Sequence, residues 1–376
     1  MKIALVLGTR PEAIKMAPLI LELLRNRRKY RTTVVLSGQH ADLVKPILTF
    51  FGIEHDVDIN LMQPNQTLAS LTSRGLEELH ACLSSIAPDW VIVQGDTTTA
   101  MASAMAAFYL KIRVAHLEAG LRTNRIDSPF PEEFNRRVIS QIASLHWAPT
   151  RLAASALRRE GMPLPHSKVM ITGNSVIDAL LWTVEKLRQE PYLDKDAAQV
   201  TEFLEADPKR RFVLVTLHRR ENFGTSIKAI CAAIRTVARK DSNTLFLLPM
   251  HPNPNVQTTV TAEIGSERNI SLTKPKVYPE FVQLLDLCHA VVTDSGGVQE
   301  EAPALGKPVL VTRDTTERPE GLRTGLVTLA GVVRSDIEAA LTEALQNSRS
   351  RKTRLRAAFP YGDGNTAKRC IDSLYR

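Results

Sequence analysis

Short β-branched runs alternate with longer stretches of helical periodicity from one end of the chain to the other. That order demands βαβ units and parallel sheets, because a strand followed by a crossover helix rejoins its sheet in the same direction. In the first half the predicted strands are Ile3–Leu7, Thr33–Leu36, Trp90–Val93, Val114–Leu117, Leu145–Ala148 and Val169–Ile171. In the second half they are Phe212–Leu217, Thr244–Leu248, Ile270–Leu272, Ala290–Thr293, Pro308–Val311 and Gly325–Leu329. Two Rossmann-type α/β domains account for the series, with a boundary between residues 172 and 173. A helix from Ser175 to Glu190 opens the second half, and a polar stretch from Asp194 to Arg211 leads to its first strong strand. Length agrees, since 376 residues at roughly 150 per domain give two to three units, each able to bury a core.

Composition narrows the class further. With 44% hydrophobic and 23% charged residues the chain is neither disordered nor collagen-like. No apolar run reaches the roughly 18 residues of a membrane span, and Ile3–Leu7 is too short for the core of a signal peptide. A cytoplasmic protein without membrane insertion is the expectation. Cys82, Cys231, Cys288 and Cys370 lie far apart with neither CxxC nor nearby His spacing, which predicts buried thiols rather than a zinc site or disulfides. The formal charge of +8 favours anionic partners. Nucleic acid is not expected among them, because aromatic residues make up only 5% of the chain. The basic runs Arg25–Arg31 and Arg351–Arg356 also lack the alternating aromatics of a single-strand stacking platform, and read better as solvated helix faces.

The chemistry lies just past the strand ends, where ligands bind in open α/β sheets. There the chain places Gly8-Thr9-Arg10, Ser37-Gly38-Gln39-His40, Gly95-Asp96, Glu118, Thr172-Gly173-Asn174, His218, His251, Asp294-Ser295 and Arg313-Asp314. This row is expected to line one crevice between the halves and suits a substrate with anionic and hydroxyl groups. Gly8-Thr9-Arg10-Pro11-Glu12 opens a helix whose free N–H groups, with Arg10 and Lys15, attract an anion. An ordinary capped turn, with Glu12 complementing the dipole, fits the same residues. GxGxxG and Walker A are both missing there, so neither a dinucleotide nor a P-loop site is expected. Asp294-Ser295-Gly296-Gly297 removes Cβ atoms at the start of another helix, where backbone N–H groups approach a pyrophosphate closely. Glu301, one turn on and better placed than Glu300, is positioned to accept both hydroxyls of a ribose. Followed by Leu305-Gly306-Lys307-Pro308, the segment points to a nucleotide sugar.

Asp96, Glu118 and Glu132 stand on connections at one sheet edge. Singly they read as an N-cap, a paired strand-end charge and a first-turn dipole partner. Together they are the arrangement that separates carboxyl pKa values and divides acid from base roles. His218 either stabilises charge on a departing diphosphate or closes its turn, and His251, in a Pro-rich loop, reads as structural support. HExxH, clustered Cys and His ligands and EF-hand spacing do not occur, so no metal is required.

In order, Gly8–Pro18, Gly95–Thr99, His116–Arg122, Asp294–Pro303 and Arg313–Glu320 closely resemble the non-hydrolysing UDP-N-acetylglucosamine 2-epimerases, over essentially the whole chain and including Pro360–Gly364. The resemblance implies an α/β GT-B architecture, two Rossmann-like domains with parallel sheets facing a central cleft. Residues 1–172 would face the sugar and carry the carboxylates, residues 173–361 would bind UDP, and a C-terminal helix over 362–376 would complete the first domain. A UDP-sugar substrate, a homodimer and no cofactor are implied. The matching catalytic positions are Asp96, Glu118, Glu132 and His218. Those for substrate binding are Arg10, Lys15, Lys276, Phe281, Ser295, Gly296, Gly297, Glu301 and Arg318, with Lys276 standing where many relatives have Gln.

Relatives regulated by their own substrate carry Gln-His-Arg followed by Glu or Gln, where this chain has Gln39-His40-Ala41-Asp42 and keeps Arg74. Loss of activation by UDP-GlcNAc is the expectation, and the same loop fits a modified sugar such as a 2,3-diacetamido uronic acid. The implied reaction eliminates UDP across C1 and C2 to a 2-acetamidoglucal, then re-adds UDP with protonation on the opposite face. Its product, UDP-ManNAc, supplies surface polysaccharide synthesis. A retaining glycosyltransferase, a hydrolysing epimerase and a nucleotide-sugar sensor without turnover are the alternatives. The carboxylates argue against the first and the last.

Overall fold

The computed structural model describes residues 1–39, 41–63, 66–161, 166–217, 224–250, 253–265, 267–346 and 360–375. The chain divides into two compact units, Met1–Ala179 with Tyr361–Arg376, and Leu180–Pro360.

The first unit runs β1 (Lys2–Leu7), α1 (Arg10–Arg25), β2 (Arg31–Leu36), α2 (Ala41–Phe51), β3 (Val57–Asp58), α3 (Leu68–Ile86), β4 (Trp90–Gln94), α4 (Thr98–Tyr109), β5 (Arg113–Leu117), α5 (Glu132–Ile142), β6 (Leu145–Ala148), α6 (Arg151–Glu160), β7 (Lys168–Ile171) and α7 (Ser175–Gln189). The second runs α8 (Lys195–Glu205), β8 (Arg211–Thr216), α9 (Thr225–Lys240), β9 (Thr244–Pro249), α10 (Pro254–Ile264), β10 (Ile270–Thr273), α11 (Tyr278–Leu287), β11 (Ala290–Thr293), α12 (Gly296–Ala304), β12 (Val309–Val311), α13 (Pro319–Leu322), β13 (Val327–Leu329) and α14 (Arg334–Gln346), before α15 (Thr366–Ser373) rejoins the first. The sheets have the orders β3-β2-β1-β4-β5-β6-β7 and β10-β9-β8-β11-β12-β13. Neighbouring strands pair in parallel throughout. In each sheet the direction of growth reverses once, between β1 and β4 and between β8 and β11, which marks the two ligand-binding switch points of such folds.

Every strand named from the sequence overlaps an observed one, because a strand buried on both faces must be a continuous apolar run. β3, only 2 residues long, escaped that signal. The polar stretch Asp194–Arg211 needs correction: it holds α8, capped by Asp194 Oδ2, which accepts from the Ala197 N–H at 3.3 Å. Only Ala197 and Val200 of α8 are fully buried, too thin a stripe to read as a helix. The units divide inside α7 rather than at 172/173, because the start of that helix is tied to the first unit. Ser175 Oγ donates to the Lys15 carbonyl at 2.6 Å, and Asp178 Oδ1 accepts from the Ala367 N–H of α15 at 2.8 Å.

Small side chains set the packing of the first unit. Ala100, Ala102, Ala104, Ala106 and Ala107 of α4 are buried beside Leu79 and Leu83 of α3 and Ile139 of α5, so the helices approach closely. The second unit relies on bulk, with Val213, Val215, Ile230, Ile234, Phe246, Val292, Ile337 and Leu341 in one cluster. Each such aliphatic or aromatic side chain contributes roughly 1.5–3 kcal/mol by leaving water. The indole N–H of Trp147 donates to Ser373 Oγ at 2.9 Å, fastening α15 to β6. Cys231, Cys288 and Cys370 are buried free thiols, and Cys82 is half-buried. Burial pushes Cys231 up to about 12 and Cys288 to about 11. Among the described residues no helix is long and apolar enough to cross a membrane, and no group of His, Cys, Asp and Glu is arranged to hold a metal ion.

Candidate active site

The first unit gathers its polar groups at the carboxyl ends of β1, β4, β5 and β7. A Cβ on Gly8 would lie 2.6 Å from Thr99 Oγ1 and 2.7 Å from Ser37 Oγ, so only glycine lets β1 end against the first turn of α4. Glu12 then turns back on the loop it follows. Its Oε2 accepts from the N–H groups of Gly8 (2.9 Å) and Thr9 (2.7 Å) and from Thr9 Oγ1 (2.8 Å), while Thr97 Oγ1 donates to Oε1 at 2.6 Å. Burial raises the Glu12 carboxyl above its ordinary value, against those four hydrogen bonds. Glu12 is therefore more than a dipole partner: it clamps the β1–α1 turn to the β4–α4 turn.

Glu118 follows β5 with φ at 64°, a left-handed conformation that costs a non-glycine residue roughly 1–3 kcal/mol. Three donors hold its carboxylate there: Lys15 Nζ at 2.5 Å, Asn174 Nδ2 at 3.2 Å and Gln94 Nε2. Lys15 pairs its ammonium with Glu118, and Arg10 stands exposed as the first residue of α1.

Asp96 follows Gly95 at the end of β4 and accepts from the guanidinium of Arg136 on α5. Its carboxyl is held above its ordinary value by burial, an effect that Arg136 and Lys15 oppose and Glu118 reinforces. Asp96 and Glu118 thus act on one another at neighbouring strand ends. Glu132 opens α5, and its Oε2 is buried without a hydrogen-bond partner among the described residues. Asn174, part of the expected strand-end row, joins the cluster together with Gln94, Arg136 and Glu133, which the sequence reading does not single out. The spacing of Glu133 and Arg136, three apart on one helix, was the available signal.

In the second unit Ser295 caps α12. The Ser295 N–H donates to Thr293 Oγ1 at 2.9 Å, and Thr293 Oγ1 in turn bonds Thr216 Oγ1 at 2.6 Å, so hydroxyls at the ends of β8 and β11 fix the turn. A Cβ on Gly297 would lie 3.9 Å from Glu301 Oε2 and 4.0 Å from Ser295 Oγ. Ser295, Gly297 and Glu301 are therefore together at the start of α12, and a Cβ at Gly297 would make only ordinary contacts. Arg318 donates through Nε to Glu300, and Glu301 Oε2 lies beside the turn. Phe281 lies half-buried on α11. Lys276 is engaged by Asp194 at 2.7 Å and Asp196 at 2.5 Å, so a nucleotide contact through its ammonium competes with two carboxylates of the α8 cap. His218 and His251 lie outside the described residues, as does His40.

The sequence profile described as UDP-N-acetylglucosamine 2-epimerase matches residues 22–375. The UDP-N-acetylglucosamine 2-epimerase of Salmonella typhimurium is 43% identical over 374 residues, spanning 100% of this chain and 98% of that protein.

The chain belongs to the UDP-N-acetylglucosamine 2-epimerase family.

Two solved relatives agree in fold. The UDP-GlcNAc 2-epimerase of Neisseria meningitidis, bound to UDP-GlcNAc, superposes with a TM-score of 0.85 at 41% identity over 100% of both chains. That of Methanocaldococcus jannaschii, in complex with UDP-GlcNAc and UDP, gives 0.78 at 30% identity over 100% of this chain and 99% of that one. Family membership makes the chain an isomerase of GT-B type, built from two parallel-sheet α/β units. The departures at Ala41, Asp42 and Lys276 are therefore differences within one family.

Proposed function

We propose that the chain interconverts UDP-N-acetylglucosamine and UDP-N-acetylmannosamine by eliminating and re-adding UDP. The observation that carries this reading is the pair Asp96, half-buried, and Glu118, buried, at adjacent strand ends, with the charge of Glu118 helping to raise the Asp96 carboxyl. A C2 proton is too weakly acidic to leave unless its electrons have somewhere to go. As a carboxylate takes the proton, the C2–H electrons form the C1–C2 double bond and the C1–O bond breaks, its electron pair leaving with UDP. The reverse step adds UDP to C1 and a proton to the opposite face of C2, so nothing is consumed. Asp96, Glu118 and Glu132 divide the acid and base work. Arg10, His218 and the Ser295–Gly297 turn stabilise the departing diphosphate, Glu301 holds the ribose, and Lys276, Phe281 and Arg318 complete the nucleotide site. Solved relatives holding UDP-GlcNAc support the substrate class. In this reading the enzyme acts as a cytoplasmic homodimer and supplies surface polysaccharide synthesis.

NMR of UDP-GlcNAc with the pure protein tests the activity, and the sequence Gln39–Asp42 adds a kinetic expectation. With Ala41 and Asp42 in place of the regulated pattern, turnover is hyperbolic in UDP-GlcNAc and UDP-ManNAc alone converts without a lag. An inert UDP-ManNAc that awakens on a trace of UDP-GlcNAc would show that activation is retained. Turnover of a 2,3-diacetamido uronate in place of UDP-GlcNAc would move the reading to a modified sugar.

A further inference from the structure

We propose that Arg136 is a positioning residue of the epimerisation, its guanidinium aligned by Glu133 and fixing the carboxylate of Asp96. The inference rests on the reading of Asp96 as an acid or base.

Glu133 is fully buried and held from three directions. Its Oε2 accepts from the Thr123 N–H at 3.1 Å and from Arg136 at 3.3 Å, and its Oε1 accepts from Arg137 Nε at 3.0 Å. A guanidinium is a planar fork, so anchoring one nitrogen sets the direction of the other. Arg136 Nη1 takes Glu133 and Nη2 takes Asp96. The neighbouring Asn135 donates through Nδ2 to the Asp96 carbonyl at 2.8 Å. Two consecutive residues of α5 therefore grip Asp96 by main chain and side chain, on the helix whose first residue is Glu132. One rigid element sets two of the three candidate carboxylates.

Stability alone does not account for the arrangement. Arg136 Nε is buried without a partner among the described residues. A desolvated guanidinium with an unused donor loses free energy that an apolar side chain would not. What the charge does accomplish is local. The charged groups acting on Asp96 are Arg136 from α5, Glu118 from the end of β5 and Lys15 from α1, with Glu133 behind the guanidinium. Removing Arg136 leaves burial and Glu118 opposed by Lys15 only. The titration of Asp96 then moves to higher pH, whichever role it has: the acid limb of the rate profile moves up for a base, the alkaline limb for an acid.

Arg136→Met, Arg136→Lys and Glu133→Gln test this by kcat and KM for UDP-GlcNAc across pH 5–9, with calorimetry of UDP binding and thermal melts as controls. Arg136→Met is expected to lose roughly 100-fold in kcat, keep KM and UDP affinity within about threefold, and shift one limb upward. Added methylguanidinium restores part of that kcat, an outcome a merely structural role does not allow. Arg136→Lys keeps the limb near its wild-type place but recovers kcat only in part, since the ammonium lacks the fork. Should the Met variant not fold, the Lys and Gln variants decide by the same split of kcat against KM. If the wild type turns over and these variants keep its kcat and its pH profile, or lose kcat only with UDP affinity, the role of Arg136 is wrong. If the wild type makes no UDP-ManNAc, the functional reading fails and Arg136 falls with it.

Discussion

Asp96→Asn, Glu118→Gln and Glu132→Gln each lower turnover by roughly 100- to 10,000-fold, the usual effect of removing a positioned acid or base. UDP affinity stays near wild type, since the residues assigned to the nucleotide, Arg10 apart, lie in the other unit. The amides keep shape and polarity but cannot exchange the proton. The three are not equivalent in stability. Asp96→Asn still offers an oxygen to Arg136. Glu118→Gln turns an acceptor-only group, facing donors from Lys15, Gln94 and Asn174, into one carrying its own N–H pair. One donor then faces another, and with the left-handed backbone of Glu118 no longer compensated, this variant alone is expected to melt earlier. NMR turnover, UDP calorimetry and thermal melts on the three variants read these effects. Carboxylate variants that lose UDP affinity in proportion to rate would make these residues scaffold or binding groups.

Acid is expected to destabilise the first unit through two buried histidines. His116 and His146 are register partners on β5 and β6, both fully buried. His116 Nε2 bonds the Gly95 carbonyl at 2.7 Å, tying β5 to the turn that carries Asp96. Burial pushes His116 from 6.5 down to about 3, with the Gly95 hydrogen bond opposing. Burial likewise pushes His146 from 6.5 to about 4, opposed in part by the nearby Ala143 backbone. Both are neutral in the folded chain at neutral pH. The sign follows from proton counting: below 6.5 the unfolded chain binds protons that the folded chain refuses, so stability is full above 6.5 and falls as pH drops toward the folded values. Each histidine costs about 1.4 kcal/mol per pH unit, and the pair about 5 kcal/mol between pH 6.5 and 4.5. Burial raises Glu12, Asp96 and Asp178, which acts in the opposite sense, so the clean quantity is a difference. Urea unfolding of the wild type and of His116→Gln and His146→Gln should give stability gaps that shrink as pH falls from 7.5 to 4.5. Gaps that stay constant would mean these imidazoles do not titrate differently in the two states.

The sheets were legible because the strands buried on both faces read as short, mostly apolar runs, and the strand ends were legible because parallel order puts them on one edge. That logic puts Asp96, Glu118 and the Ser295–Gly297 turn at strand ends, where the structure has them. It does not reach what depends on side-chain direction. Lys15 reads as an anion ligand of α1, yet the left-handed turn at Glu118 brings a carboxylate to its ammonium. Glu12 reads as a dipole partner, yet a glycine-tight turn brings four donors to it. Arg136 carries no motif of its own, since its meaning comes from a buried neighbour one turn back and a strand end 40 residues earlier. α8 was invisible because most of its surface is polar and its role is to cap, through Asp194, the loop holding Lys276.

If the C2 proton leaves the substrate and returns on the other face, solvent deuterium must enter at C2. NMR of UDP-GlcNAc equilibrated with the enzyme in D2O reads this directly. UDP-ManNAc is expected to carry deuterium at C2, and recovered UDP-GlcNAc to acquire it as equilibrium is approached, because the protonated carboxyl exchanges with solvent before the reverse step. Epimerised product that retains its original C2 hydrogen throughout would contradict it.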